Sequence, residues 1–174
     1  MPGVASYGIA LLSRYPAESW QVLRLPRIPV RVPHYLRTPR KVIIVDEEPR
    51  AAVLGRLRTP AGLLVVANTH LSYVPGWGRL QLRRIRRDLA PLPEPVILMG
   101  DLNMADDRAA QITGYRPLAR HLTFPVEKPD RQLDHILIRG WLGEVTTTSA
   151  PALPLSDHRA LIVELSVSRR KAAA

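Results

Sequence analysis

The sequence predicts an α+β protein built on layered sheet. Three observations lead there. Short apolar, β-branched runs recur along the chain with turn residues between them, the pattern of antiparallel strands. One stretch alone, "GWGRLQLRRIRRDLAPL" (76–92), switches to a helical period. Neither an internal repeat nor a linker divides the chain. Residues 1–168 are therefore expected to form one domain, with 169–174 as a disordered tail.

"YGIALLSRYP" (7–16) and "WQVLRLP" (20–26) read as two short strands, each closed by proline. Residues 26–39 hold four prolines among basic residues and read as a loop. "RKVIIVDEE" (40–48) and "AAVLGRLR" (51–58) are strand-like, "TPAG" is a turn, and "LLVVANTHL" (63–71) is an apolar run ending in polar groups. In the helical stretch Leu80, Leu82, Ile85 and Leu89 form the apolar stripe, with Arg83, Arg84, Arg86 and Arg87 around it. Pro91 ends it. "PVILMGDLN" (95–103), "LDHILIRG" (133–140), "EVTTTS" (144–149) and "RALIVELSV" (159–167) complete the strands.

The apolar fraction of 46% belongs to a globular chain. No apolar run is long enough for a transmembrane span, and the first residues lack the basic cluster and apolar core of a signal peptide. A cytoplasmic monomer is the expectation. There is no cysteine, which excludes disulfides and thiolate metal sites. The formal charge is +10 and favours polyanionic partners: nucleic acid, phosphorylated substrates or anionic lipid head groups. Only three of the basic residues are lysines (Lys41, Lys128, Lys171), so compositional bias toward arginine explains the charge equally well.

Four strand ends look alike. One run finishes with Asn68 and His70, another with Asp101 and Asn103. A third opens with Asp134, and a fourth with Asp157 and His158. Polar groups placed where an apolar strand meets a loop are held in position yet reachable. Asp and Asn oxygens suit a hard divalent ion such as Mg²⁺ or Mn²⁺. Histidines serve as proton-transfer groups or as donors to a charged oxygen. Together these parts suit hydrolysis of a phosphate ester. Each has an ordinary reading on its own: Gly100–Asp101 as a turn, "SDH" as a helix cap, Asp134 as a carboxylate paired with an arginine. The weight lies in four such sites in one order.

That order, "NTHL", "GDLN", "LDHILI", "SDHRALIVEL", resembles the endonuclease/exonuclease/phosphatase superfamily. "LSRYP" and "EPRAAV" are similar to two further strands of that family. The resemblance implies a four-layer αββα sandwich of two mostly antiparallel sheets. It implies a Mg²⁺- or Mn²⁺-dependent phosphoesterase, most simply a phosphodiesterase, acting on nucleic acid or on a phospholipid or inositide head group.

The resemblance also implies roles. His70 would bind the scissile phosphate. Asp101 would orient or deprotonate the attacking water, or protonate the leaving group. Asn103 would hold a phosphate oxygen or support the metal. Asp134 would pair with His158, itself a general base or phosphate donor. Arg50 and Asn68 would join in substrate binding. Asp101, Asn103 and Asp157 would be the metal residues. Members usually begin with a strand carrying an asparagine, then a helix, then a strand carrying a metal-binding glutamate. Only six residues precede "YGIALLSRYP" here, so a domain shortened at its N-terminus is expected. An inactive or weakly active member that only binds polyanions is the alternative.

Overall fold

The computed structural model describes residues 8–29, 31–36, 40–45, 47–74 and 76–167. Their elements are β1 (Ala17–Arg24), β2 (Val32–Leu36), β3 (Lys41–Val45), β4 (Ala51–Thr59), β5 (Gly62–His70), α1 (Trp77–Leu89), β6 (Val96–Asp101), α2 (Arg108–Thr113), β7 (Arg116–Pro117), β8 (Asp134–Arg139), β9 (Glu144–Ser149) and β10 (Ile162–Ser166). The fold is α+β with mostly antiparallel strands. A six-stranded sheet runs β1-β4-β5-β6-β8-β7, and β9–β10 and β2–β3 are separate antiparallel pairs.

Among the described residues only β5 and β6 pair in parallel, and α1 is the crossover between them. Alternation along the strands divides the core in two. Ala52, Leu54, Val65, Ala67, Val96, Leu98 and Leu137 join Leu82, Ile85 and Leu89 of α1 in one buried cluster. Leu57, Val66, Ile97, Met99 and Ile136 belong to the other side. With Val163 and Leu165 of β10, and Leu11 and Leu12, they line a cavity of about 240 Å³ between the two sheets. Helix, sheet and second sheet thus follow in the expected order. Among the described residues no helix is long and apolar enough to cross a membrane.

The apolar stripe of α1 is shifted from the sequence expectation. Gly78, Gln81, Leu82, Ile85 and Leu89 face inward, while Leu80 is 43% exposed. A 3.6-residue period that keeps Leu82, Ile85 and Leu89 together puts position 80 outside and 81 inside. Gln81 is buried with both ends of its amide bonded. Its Oε1 accepts from the Ser72 N–H at 2.8 Å, and its Nε2 donates to the Pro26 carbonyl at 2.9 Å.

Three other expectations change. Residues 8–16 form no strand. Their apolar pattern is strand-like, but among the described residues they pair with no neighbouring strand, and a strand exists only through its ladder. The segment is tied down instead at Ala10, whose carbonyl accepts from Asn68 Nδ2 at 2.7 Å, and at Pro16, whose carbonyl accepts from the Arg58 N–H. The proline-rich segment read as a loop contains β2. Among the described residues it pairs only with β3, so Pro33 lies in a two-stranded ribbon where a missing donor is tolerated. The stretch 104–131, to which the sequence assigned no helix or strand, contains α2 and β7. The tail 169–174 lies outside the described residues.

Candidate active site

The sheet itself assembles the site. β5 and β6 are parallel, so their carboxyl ends lie side by side, while β8 is antiparallel and meets them with its amino end. The register pairs His70 with Asp101 and Asp101 with Asp134. Three of the expected residues therefore form one row across adjacent strands.

His70 Nε2 lies 3.3 Å from Asp101 Oδ2. The other Asp101 oxygen accepts the Asn103 N–H at 2.9 Å. Asn103, at φ 50°, turns back so that its Nδ2 donates to the Leu71 carbonyl at 2.9 Å. His158 comes from the loop before β10. Its Nδ1 is 2.7 Å from Asp134 Oδ2, and its Nε2 is 3.9 Å from Asp101 Oδ2. The carboxylate of Asp134 selects the tautomer with hydrogen on Nδ1, which leaves the Nε2 lone pair facing Asp101.

Arg50 flanks the row. Its Nε donates to Glu47 Oε1 at 3.1 Å, and its Nη1 is buried without a hydrogen-bond partner among the described residues. Asn68 borders a cavity of about 330 Å³ shared with Asp134 and His158. Asp157 stands apart. It is exposed, and its carbonyl accepts from the Val126 N–H at 2.8 Å.

Burial sets the charges. It pushes Asp101 up from 3.8 to about 6, with Asp134 adding to the rise and the Asn103 N–H opposing it. Burial lowers His70 from 6.5 to about 4, aided by the charges of Arg50 and His158. His70 is thus neutral at pH 7, so its 3.3 Å approach to Asp101 is not an ion pair.

These shifts act oppositely on stability. The folded chain holds the Asp101 proton longer than the unfolded chain, so that contribution is present at low pH and lost as pH rises from 3.8 to about 6. The folded chain gives up the His70 proton earlier, so that contribution grows as pH rises from about 4 to 6.5. Each is on the order of 2–3 kcal/mol. In urea titrations with chelator, wild type should lose stability relative to Asp101→Asn between pH 4 and 6. It should gain on His70→Gln over the same interval. A reversed sign in either comparison would refute the assignment.

The sequence reading missed the loop that holds His158 and Asp134. Thr123 is fully buried, and its Oγ1 accepts the N–H groups of Leu133 and Asp134 at 3.2 and 3.3 Å. The Phe124 ring packs on the His158 ring at 4.7 Å between centroids. The Arg159 N–H donates to the Thr123 carbonyl at 2.7 Å. No periodic or spacing signal marks "LTFP", because the partners that tie it to Asp134 and His158 lie well beyond a helical or strand repeat. His135, next to Asp134, is buried and bonded through Nε2 to the Met104 carbonyl at 2.7 Å. Burial lowers its pKa, which suits a neutral structural role.

Two facing sheets thus set a His–Asp pair and a second, half-buried carboxylate at adjoining strand ends. The chain belongs to the Endonuclease/Exonuclease/phosphatase family, whose model matches residues 1–158. No curated protein matches the sequence.

Among solved structures it is similar to an endonuclease/exonuclease/phosphatase from Bacteroides vulgatus, at 18% identity and a TM-score of 0.66, covering 88% of this chain and 67% of that one. It is also similar to a mannosyl-6-phosphatase from Bacteroides thetaiotaomicron, at 16% identity and a TM-score of 0.60, covering 87% and 67%. A third likeness is to a mutant beta toxin from Staphylococcus aureus with bound magnesium ions, at 14% identity and a TM-score of 0.52, covering 66% and 57%. The chain thus spans about two thirds or less of the length of these structures.

Proposed function

We propose that residues 1–168 act as one phosphodiesterase domain that hydrolyses a nucleic acid or a phospholipid or inositide head group by attack of water on phosphorus. The observation that carries this reading is the row His70–Asp101–Asp134 with His158 fixed on Asp134 at 2.7 Å. His158 Nε2 accepts a proton from water as the new P–O bond forms. Asp101, 3.9 Å from that nitrogen, orients the water. Neutral His70 donates a hydrogen bond to a non-bridging oxygen, and Arg50 and Asn68 bind the phosphate. The ester P–O bond breaks, and the departing alkoxide takes a proton from solvent.

The family likeness and the hard oxygens of Asp101 and Asn103 support Mg²⁺ or Mn²⁺ as cofactor. The donor set present does not complete such a site. Asp157 projects from the exposed loop, and no three acidic or histidine side chains among the described residues gather to hold an ion. The steps above therefore use the chain's own groups alone.

The test is hydrolysis of bis(p-nitrophenyl) phosphate with Mg²⁺ or Mn²⁺, and again with chelator. Turnover that falls with chelator and in His158→Ala supports the reading. Turnover indifferent to both would belong to a contaminant. The net charge of +10 favours a second reading, polyanion binding without turnover. Salt-dependent binding with no hydrolysis under any metal would select it.

A further inference from the structure

We propose that the β2–β3 hairpin is a docking element for an anionic lipid surface. The register pairs Pro33 with Ile44 and Tyr35 with Val42. Directly opposed and alternate residues share a face, so these four side chains form one apolar patch. It is uncovered: Tyr35 is 54% exposed, Val42 63% and Ile44 64%. Among the described residues the two strands pair with each other and with no other strand. Aliphatic side chains displayed together in water mark an interaction surface.

Charge identifies the partner. Residues 24–45 carry six basic side chains, Arg24, Arg27, Arg31, Arg37, Arg40 and Lys41, and no acidic one. An apolar face on a segment rich in cations and free of carboxylates matches the interface of an anionic bilayer, where apolar groups enter the acyl boundary and cations meet head groups. Nucleic acid fits less well. Of the four side chains only Tyr35 offers a donor or a stacking plane, whereas Pro33, Val42 and Ile44 are aliphatic. A second copy of the chain would set the same cations against each other.

The hairpin is rooted beside the active site. The Leu25 N–H donates to the Arg50 carbonyl at 2.9 Å, and Arg27 Nε donates to the Glu47 carbonyl at 2.8 Å. Arg50 and Glu47 are the ion pair that flanks His70 and Asp101. A membrane held by the hairpin would lie near the site, which favours head-group phosphates over soluble esters.

The experiment is co-sedimentation of the whole chain with vesicles of phosphatidylcholine alone or with added phosphatidylglycerol. Binding should require the anionic lipid and weaken with salt. It should fall at least about tenfold in Val42→Asp/Ile44→Asp and less in Lys41→Glu. Circular dichroism and hydrolysis of a soluble diester should match wild type in both variants. The proposal is overturned if anionic vesicles do not pellet the chain, or if the double aspartate variant binds them equally well. It is also overturned if the same substitutions abolish a DNA complex or a dimer instead. Because binding is read without substrate, failure of the hydrolytic reading leaves this result interpretable.

Discussion

Asp134→Asn is expected to slow turnover by about 10²- to 10⁴-fold while leaving the fold intact. Asp134 Oδ2 accepts from His158 Nδ1 at 2.7 Å, which keeps the Nε2 lone pair available. An asparagine is of the same size, but its amide can donate to Nδ1. That stabilises the opposite tautomer, with the proton on Nε2, where it cannot accept one from water. His158→Ala removes the proposed base outright and should cost at least as much. The two residues act as one device, so the double variant should be no slower than His158→Ala alone.

The check is kcat for the three variants on an activated diester, beside their melting temperatures. Added imidazole should partly restore His158→Ala, and it should not restore the double variant further. Multiplicative losses, or a loss in Asp134→Asn below about tenfold, would show that the contact does not serve the proton transfer. Both side chains are about one fifth exposed, 22% for Asp134 and 20% for His158. Melting temperatures should therefore fall in His158→Ala, which also loses its contact with the Phe124 ring, and less in Asp134→Asn.

The residues of the row were legible in the sequence because each sits where a β-branched run breaks into polar groups. That signal is local, and the register of β5, β6 and β8 converts it into proximity. The helix was legible for the same reason, though a one-position ambiguity placed Leu80 inside when Gln81 belongs there. What the sequence hid is non-local. Residues 8–16 have strand composition but no ladder partner among the described residues, and β2 is masked by prolines that a free ribbon accommodates. Thr123 and Phe124 look like loop residues until the chain returns at 131–134 and 158–159 to meet them. The roles assigned to Asn68, Asn103 and Asp157 depend on substrate or ion, so position alone leaves them as proposals.

Gly100→Ala is expected to be the most disruptive single methyl addition near the site. Gly100 lies at φ 127°, and a Cβ there would collide with the Thr69 carbonyl oxygen and sit 2.9 Å from Asn68 Oδ1. The first of these is backbone, in the strand that pairs Thr69 with Gly100, so no rotamer change relieves it. Either β6 separates from β5 or its backbone leaves the positive-φ region. Both disturb the buried run from Val96 to Leu98, and the cost should be about 3 kcal/mol or more.

Gly62→Ala is the control, since Gly62 has φ 109° but nothing within 4 Å of the place a methyl group would take. Its loss should come from backbone strain alone, about 1 kcal/mol. Denaturant midpoints of the two variants separate the contributions. Equal losses would mean that φ matters and the close approach does not. A larger loss at Gly100, accompanied by a drop in turnover, would tie the packing of β5 against β6 to the spacing of His70 and Asp101. The glycine then serves contact as much as conformation: with no Cβ, the parallel strands approach closely enough to set a histidine and a carboxylate 3.3 Å apart at their ends.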